Sequence, residues 1–387
     1  MKIGVIGAGR LGICFALLCE AAGYEVLVSD IREDYINDLN QRKIVTTEPE
    51  VGNLLKVAKN FRATINNQEV IEECDIIYTL VQTPSLADGS YDVRAVDDVV
   101  KDVLEAKNIG DKSFVVGCTT NPGDCDGWTK QLGERGVNVF YNPEFIAQGS
   151  IVNDLRKADM VLLGYEPTIP TDSNIIKEIK KLYESIQITR SIVCIMSNKA
   201  AEITKIALNC YLTTKISYAN MLGDVLRKAG CGDEITTVLN AIGTDSRVGH
   251  KYFRYGFGYG GPCFPRDNRA FATFAKDVGL EYNLGHVTDN INNQHAGLLC
   301  DFYYELNKDR AFYFDSITYK PGTDILTESQ QYRLCKDLLD KGCTVYIRND
   351  NRVTPQVYDE LSGKYGEHVK FVDGLKYVTE PIFMVDL

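Results

Sequence analysis

The sequence predicts an α/β protein in which two open, parallel-sheet domains flank a helical middle built on one long helix. Three observations predict it. The first thirty residues alternate strand, glycine-rich turn, helix and strand. The same alternation of strand and turn runs on to about residue 142 and resumes near residue 305. Between them, Lys199 to Lys228 contains no proline, and its only glycine is Gly223.

At 387 residues the chain is too long for one ordinary core and implies two or three domains. Hydrophobic residues make up 44% and charged residues 25%, the balance of a globular protein. A net charge of −11 argues against a general nucleic-acid binder or a membrane-surface binder. Any anionic ligand is then held by local cations or helix amino ends. The twelve cysteines include no C-x-x-C pair, which reads as reduced thiols in a cytoplasmic setting. The four histidines (His250, His286, His295, His368) stand in no metal-ligand spacing, so no metal site is expected. The apolar amino terminus is broken by Gly4, Gly7, Gly9, Arg10 and Gly12, and no span reaches about 20 apolar residues. It reads as a strand and a helix, and no membrane segment is expected.

Lys2 to Ile6 is the first strand. It leads into Gly7-Ala8-Gly9-Arg10-Leu11-Gly12, a helical pattern from Ile13 to Ala22 closed by Gly23, and a second strand from Glu25 to Ser29 that ends on Asp30. In such a turn the first glycine allows the bend, the second lets backbone approach a pyrophosphate, and the third lets helix pack on strand. The helix amino end favours the anion. Asp30 is placed to accept from the adenosine ribose hydroxyls and would repel a 2′-phosphate, which predicts NAD. Gly7, Gly9, Arg10, Leu11, Gly12 and Asp30 are therefore the cofactor candidates of a Rossmann-like domain.

Asp75 to Val81 and Ser113 to Cys118 are further strands, ending in Gln82-Thr83-Pro84-Ser85 and Thr119-Thr120-Asn121-Pro122-Gly123. Ligands of open parallel sheets sit beyond the carboxyl ends of strands, making Thr83, Pro84 and Thr119 cofactor-edge candidates. Ordinary turn chemistry explains the same residues equally well. Val139 to Asn142 precedes Pro143-Glu144-Phe145-Ile146, where Glu144 either works in a site or caps a helix.

The long helix of the middle segment closes at Gly230 and Gly232. Lys205 and Asn209 share one of its faces, with apolar Ile203, Ile206, Ala207 and Leu208 beside them. A solvated lysine is the plain reading; an amide one turn away points towards function. Further on, Gly256-Phe257-Gly258-Tyr259-Gly260-Gly261-Pro262-Cys263-Phe264-Pro265-Arg266-Asp267 sets four glycines before a thiol and a cation and acid after it. Either Cys263 is a nucleophile, which attacks as thiolate, or it is a buried turn cysteine. Ala311 to Ile317, Thr344 to Ile347 and Ile382 to Val385 are the strands of the last unit, with a helix from about Glu328 to Lys341. The expected organisation is 1–197, 198–304 and 305–387: two Rossmann-like domains joined by a long central helix and a helical middle domain.

These ordered motifs resemble the UDP-glucose/GDP-mannose dehydrogenases over nearly the whole chain. They are Gly7 to Gly12, Val81-Gln82-Thr83-Pro84, Cys118-Thr119-Thr120, Asn142-Pro143-Glu144-Phe145, Ala201-Glu202-Ile203-Thr204-Lys205, Asp245-Ser246-Arg247-Val248-Gly249, Gly258 to Asp267, and Lys320 to Ser329. The resemblance implies NAD-dependent oxidation of a sugar-nucleotide alcohol to the acid, in two steps. It makes Cys263 the nucleophile and Lys205, supported by Asn209, the oxyanion partner. Asp267 helps activate the hydrolytic water, and Thr119 and Glu144 order that water or the sugar hydroxyl. The resemblance also implies that Arg247 and Arg254 meet the diphosphate and that Tyr252 and Phe253 wrap the sugar nucleotide. Phe145, Ile146, Gly258, Gly260 and Lys320 complete the substrate set. It further implies a homodimer paired through the long helix.

Departures from the family pattern are Arg266 for a lysine, Gln148 (a cofactor candidate here) for an acid, and Thr327 for an arginine near the pyrophosphate. The C-terminal half also reads as shorter than usual. UDP-glucose is the expected substrate, with GDP-mannose or an N-acetylhexosamine nucleotide as the alternative. A binding regulator without turnover is a third reading, disfavoured by the retained Cys263, Lys205, Asn209 and Asp267. A single-step hydroxy-acid dehydrogenase has no use for Cys263, and the scarcity of histidine disfavours a histidine base.

Overall fold

A computed structural model describes residues 1–307, 310–349, 355–378 and 381–385; the last residue, Leu387, lies outside them. Two compact units result, Met1–Ile206 and Ala207–Leu387.

The first unit is an eight-stranded sheet. Its strands are β1 (Lys2–Ile6), β2 (Glu25–Ser29), β3 (Phe61–Thr64), β4 (Ile76–Thr79), β5 (Ser113–Val116), β6 (Asn138–Tyr141), β7 (Met160–Tyr165) and β8 (Ile192–Ser197). They lie in the order β3-β2-β1-β4-β5-β6-β7-β8. Every pairing is parallel except β6 with β7, which meet through Tyr141 and Gly164. The order reverses beside β1, so the carboxyl ends of β1 and β4 open the crevice where such sheets bind ligands.

Both faces of the sheet are buried, which explains the nearly continuous apolar strands. Ile3, Val5, Val26, Val28, Tyr78 and Phe140 face one side, against Phe15 and Leu17 of helix Arg10–Ala21 and Ile179, Leu182 and Tyr183 of helix Asn174–Ile186. Ile6, Leu27, Ile77, Phe114 and Tyr141 face the other, against Val96, Val99 and Val103 of helix Arg94–Glu105 and Trp128 of helix Asp124–Gly133. Each fully buried side chain of this size contributes roughly 1.5–3 kcal/mol. Strands β3, β7 and β8 go beyond those legible in the sequence. The expected strands at Asp75 to Val81 and Ser113 to Cys118 are shorter, because their last residues turn into loops.

The predicted long helix is continuous over Asn198–Lys228 and ends before Gly230, whose φ is +81°. Most of it belongs to the second unit, with helices Ile235–Thr244, Phe264–Asp277 and Leu284–Asn307. The same unit holds a four-stranded parallel sheet: β9 (Ala311–Phe314), β10 (Val345–Arg348), β11 (Val369–Val372) and β12 (Ile382–Met384), in the order β11-β10-β9-β12. β9 stops three residues earlier than expected, since Asp315 turns outward to pair with Arg348 at 3.0 Å. β11, Val-Lys-Phe-Val, lies outside the strands expected from the sequence: its residues favour a strand, but a run of 4 is too short to show a period. Among the described residues, no helix is long and apolar enough to cross a membrane.

Candidate active site

The glycine turn after β1 divides its work as the spacing predicts. Gly7 has φ +95°, and a Cβ there would lie 2.8 Å from the Leu80 main chain. A Cβ on Gly12 would lie 2.0 Å from the Gly7 carbonyl oxygen, so only glycine lets helix Arg10–Ala21 sit on β1. At Gly9 a Cβ would meet nothing within 4 Å. Gly9 is also the N-cap of that helix and offers no side-chain cap, which leaves the first N–H groups to an anion. Arg10 reaches across to Gln148, Nη1 to Oε1 at 2.7 Å, so two cofactor candidates 138 residues apart meet beside the turn.

Asp30 grips Arg32 through two bonds, Nε to Oδ1 at 2.8 Å and Nη2 to Oδ2 at 2.9 Å. Burial works against its charge, but the Arg32 side chain and the N–H groups of Arg32 and Ala8 outweigh it and hold the carboxyl below the usual range. A carboxylate offers four lone-pair sites, so Oδ2 keeps capacity for a ribose hydroxyl. A bare helix end, an open Gly9 and an ionised acid after β2 fit an adenine dinucleotide.

Beyond β4 and β5 the hydroxyls of Thr83 and Thr120 are occupied within the protein. Thr83 donates to the Thr119 carbonyl at 2.7 Å, joining the two loops. Thr120 donates to Glu202 Oε1 at 2.9 Å, and the same carboxylate accepts Cys125 N at 2.9 Å and Gly123 N at 2.6 Å. Glu202 thereby caps helix Asp124–Gly133 and ties its loop to the long helix, three residues before Lys205. Burial pushes Glu202 up to about 7, with these donors pulling the other way.

Lys205 is buried, at 9% exposure. Its Nζ donates to the Glu144 main-chain oxygen at 2.7 Å and lies 4.6 Å from the Phe145 ring centre. The solvated lysine of the plain reading is therefore absent. Burial pushes the Glu144 carboxyl up to about 7, while the Tyr183 hydroxyl and the Lys205 charge draw it down. Tyr183 donates to Glu144 Oε1 and stands 2.6 Å from Asn142 Oδ1. Sequence reasoning passed over Tyr183, because its place beside Ile176, Ile179, Leu182 and Ile186 is that of a core residue. Nothing in the chain pattern distinguishes it.

In the second unit, Cys263 is the exposed member of the twelve cysteines. It is the N-cap of helix Phe264–Asp277, where free N–H groups and the helix dipole favour an anion. Its carbonyl accepts Asp267 N at 2.9 Å. Asp267, 2% exposed, accepts Asn209 Nδ2 at 2.6 Å. Thr213, one turn on from Asn209, donates to Asn268 Oδ1 at 2.8 Å.

The glycines of the thiol loop are needed by protein contacts. A Cβ on Gly258 would lie 2.1 Å from Asn292 Oδ1, and one on Gly260 would lie 2.2 Å from the Glu328 carbonyl oxygen. Gly261 N donates to Thr327 O at 3.0 Å, so Thr327 serves this loop through its main chain. Phe253 is 6% exposed, and its ring packs in a cluster with Ala219, Ile235 and Leu239. Tyr252 is exposed, with its ring 6.4 Å from that of Phe264. Arg247 is exposed and paired with Asp245 at 2.6 Å, while Arg254 is exposed. Lys320 is half-buried, and its carbonyl accepts from Thr318 and Thr323.

The model of the UDP-glucose/GDP-mannose dehydrogenase family, NAD binding domain, matches residues 1–187, and that of the family's central domain matches residues 199–294. The chain belongs to this family. It is accordingly an NAD-binding nucleotide-sugar dehydrogenase. The Bacillus subtilis (strain 168) protein YtcA, provisionally named a UDP-glucose 6-dehydrogenase, is 30% identical over 365 residues, covering 92% of this chain and 83% of its own. The UDP-glucose dehydrogenase of Pyrobaculum islandicum superposes with a TM-score of 0.83 at 25% identity, over 99% of this chain and 89% of the other. A UDP-D-ManNAc dehydrogenase of Pyrococcus horikoshii shares the fold, with a TM-score of 0.77 at 19% identity over 100% and 99%.

Proposed function

We propose that the chain oxidises the C6 alcohol of UDP-glucose to UDP-glucuronate through a thioester on Cys263. The observation that carries this reading is an exposed thiol at a helix amino end, followed one turn later by the buried Asp267. Support for the sugar comes from the relatives named for UDP-glucose, including those of Bacillus subtilis and Pyrobaculum islandicum.

Gly7, Gly9, Arg10, Leu11, Gly12, Asp30, Thr83, Pro84 and Gln148 would hold NAD, and two NAD bound in succession would each accept one hydride. Lys205 stabilises the oxyanion that develops on the substrate carbon, with Asn209 in support. The Cys263 thiolate adds to the aldehyde to form a thiohemiacetal, and loss of a second hydride from carbon leaves the thioester. Water then bonds to the acyl carbon, the carbon–sulfur pair returns to sulfur as thiolate, and one water proton goes to the acid–base residues. Asp267 helps activate this water, and Thr119 and Glu144 order it.

Residues 1–197 form the NAD-binding domain, 198–304 the central domain and 305–387 the sugar-nucleotide domain. Two copies pair through the long helix in the cytoplasm: Tyr211, Tyr218, Met221 and Val225 are exposed at helical spacing along it. A monomer at micromolar concentration would remove that assembly.

The decisive experiment incubates the protein with NAD and each nucleotide sugar and counts NADH per product. Two NADH per UDP-glucuronate is expected. Turnover confined to GDP-mannose or an N-acetylhexosamine nucleotide moves the substrate, and one NADH with a released aldehyde ends the thioester reading. Cys263→Ser is expected to lower steady turnover by roughly a thousand-fold or more.

A further inference from the structure

The hydroxyl of Tyr183 has more acceptors than protons. The Asn142 amide is oriented by its own donation, Nδ2 to the Leu162 carbonyl at 2.8 Å, so its Oδ1 faces the phenols. Tyr183 lies 2.6 Å from that oxygen and Tyr78 lies 3.4 Å from it. Tyr183 also hydrogen-bonds Glu144 Oε1. All three partners of this carboxyl chain are buried: Tyr78 is 1%, Asn142 2% and Tyr183 2% exposed. A phenol carries one proton, and an amide oxygen only accepts.

Two arrangements satisfy the group. With Glu144 ionised, Tyr183 donates to Oε1 and Asn142 Oδ1 keeps the longer contact from Tyr78. With Glu144 protonated, the acid donates to the phenol oxygen and Tyr183 donates to Asn142. The heavy atoms stay in place in both, and only O–H protons turn. The Tyr183 bond engages Glu144 at Oε1.

We propose that Tyr183 is a positioning residue, which with Asn142 keeps the Glu144 carboxyl in one place through both of its protonation states. The proposal rests on the reading of Glu144 given above, as the group that orders water at the thioester. The charged or titratable groups facing Glu144 come from four elements: Lys205 on the long helix, Tyr183 on helix Asn174–Ile186, Tyr78 on β4 and Cys19 on helix Arg10–Ala21. Burial holds the Cys19 thiol and both phenols protonated far above neutral pH, and it pushes the Glu144 carboxyl up to about 7.

The test follows carbon-13 signals of the Glu144 carboxyl and the Tyr183 phenol ring carbon against pH, in substrate-free protein, with Glu144→Gln as the assignment control. In the unaltered chain the two signals should move together through one midpoint; a Tyr183 signal that stays flat while Glu144 titrates overturns the proposal. In Tyr183→Phe the Glu144 midpoint should rise by about one pH unit, the order of one hydrogen bond to a charged group. The acid limb of kcat should rise with it, with KM little changed. A lower kcat on an unmoved profile would mean packing alone and would also overturn it. Since the carbon signals need no substrate, failure of the assigned reaction is read separately, from NADH counts on the unaltered chain.

Discussion

Glu144 and Glu202 are carboxyls of the same unit, both pushed up to about 7 by burial, yet their surroundings differ in kind. Glu202 is 0% exposed and accepts three hydrogen bonds, from Thr120, Gly123 and Cys125, so both of its oxygens are engaged in holding a loop to the long helix. Glu144 is half-buried and held by Tyr183 at one oxygen. A raised carboxyl therefore does not by itself mark a working acid. The same contrast recurs at the glycines. The protein fills the space around Gly12, whereas it leaves Gly9 open.

The sharpest way to break the first contrast is to remove each charge in turn. Glu144→Gln is expected to lower turnover by roughly a hundred- to ten-thousand-fold, the range for a positioned acid–base group, while its unfolding midpoint moves little. Equal losses from Glu202→Gln, per folded molecule, would erase the distinction. Next in size, Glu202→Ala leaves three donors, two of them buried, without their acceptor and should cost about 3 kcal/mol of stability, read from urea unfolding. Glu144→Ala should cost clearly less.

The glycines offer a smaller test. Gly12→Ala places a methyl against the Gly7 carbonyl and should cost about 1–3 kcal/mol, weakening NAD as a consequence of lost packing. Gly9→Ala should leave stability within about 0.5 kcal/mol and still weaken NAD about tenfold, measured by titration calorimetry. Unchanged NAD affinity in Gly9→Ala would show that the open space is not the cofactor's.

The last effect is one of pH. Both carboxyls stand near 7 folded against an ordinary value of 4.5, so the folded protein holds protons that the unfolded chain has released. Their stabilising contribution is whole below 4.5 and is lost as the pH rises through about 7. Between about pH 5 and about pH 8 the Tm of the unaltered chain should fall through these groups, and Glu202→Gln should narrow that fall by a few degrees. An unchanged or steeper fall would mean that Glu202 is ionised throughout.

By itself the sequence determined the elements whose signals are local: the strand, glycine turn and helix at residues 2–22, the uninterrupted long helix, and the thiol beside Asp267. Spacing of glycines, absence of proline and apolar runs are properties of neighbouring residues, so they are legible without a fold. The same holds for Lys205 and Asn209, one helical turn apart. Tertiary structure alone decided which polar groups remain available. Thr120 and Glu202 read as family motif residues but are spent on each other. Gly258 and Gly260 enter the sequence reading as substrate positions implied by resemblance, and the fold sets Asn292 and the Glu328 main chain where a Cβ on them would lie. Tyr183, 39 residues from Glu144, reads as core and holds its carboxyl. A hydrogen bond or a close contact depends on distance in space and on competing partners, and neither is written along the chain.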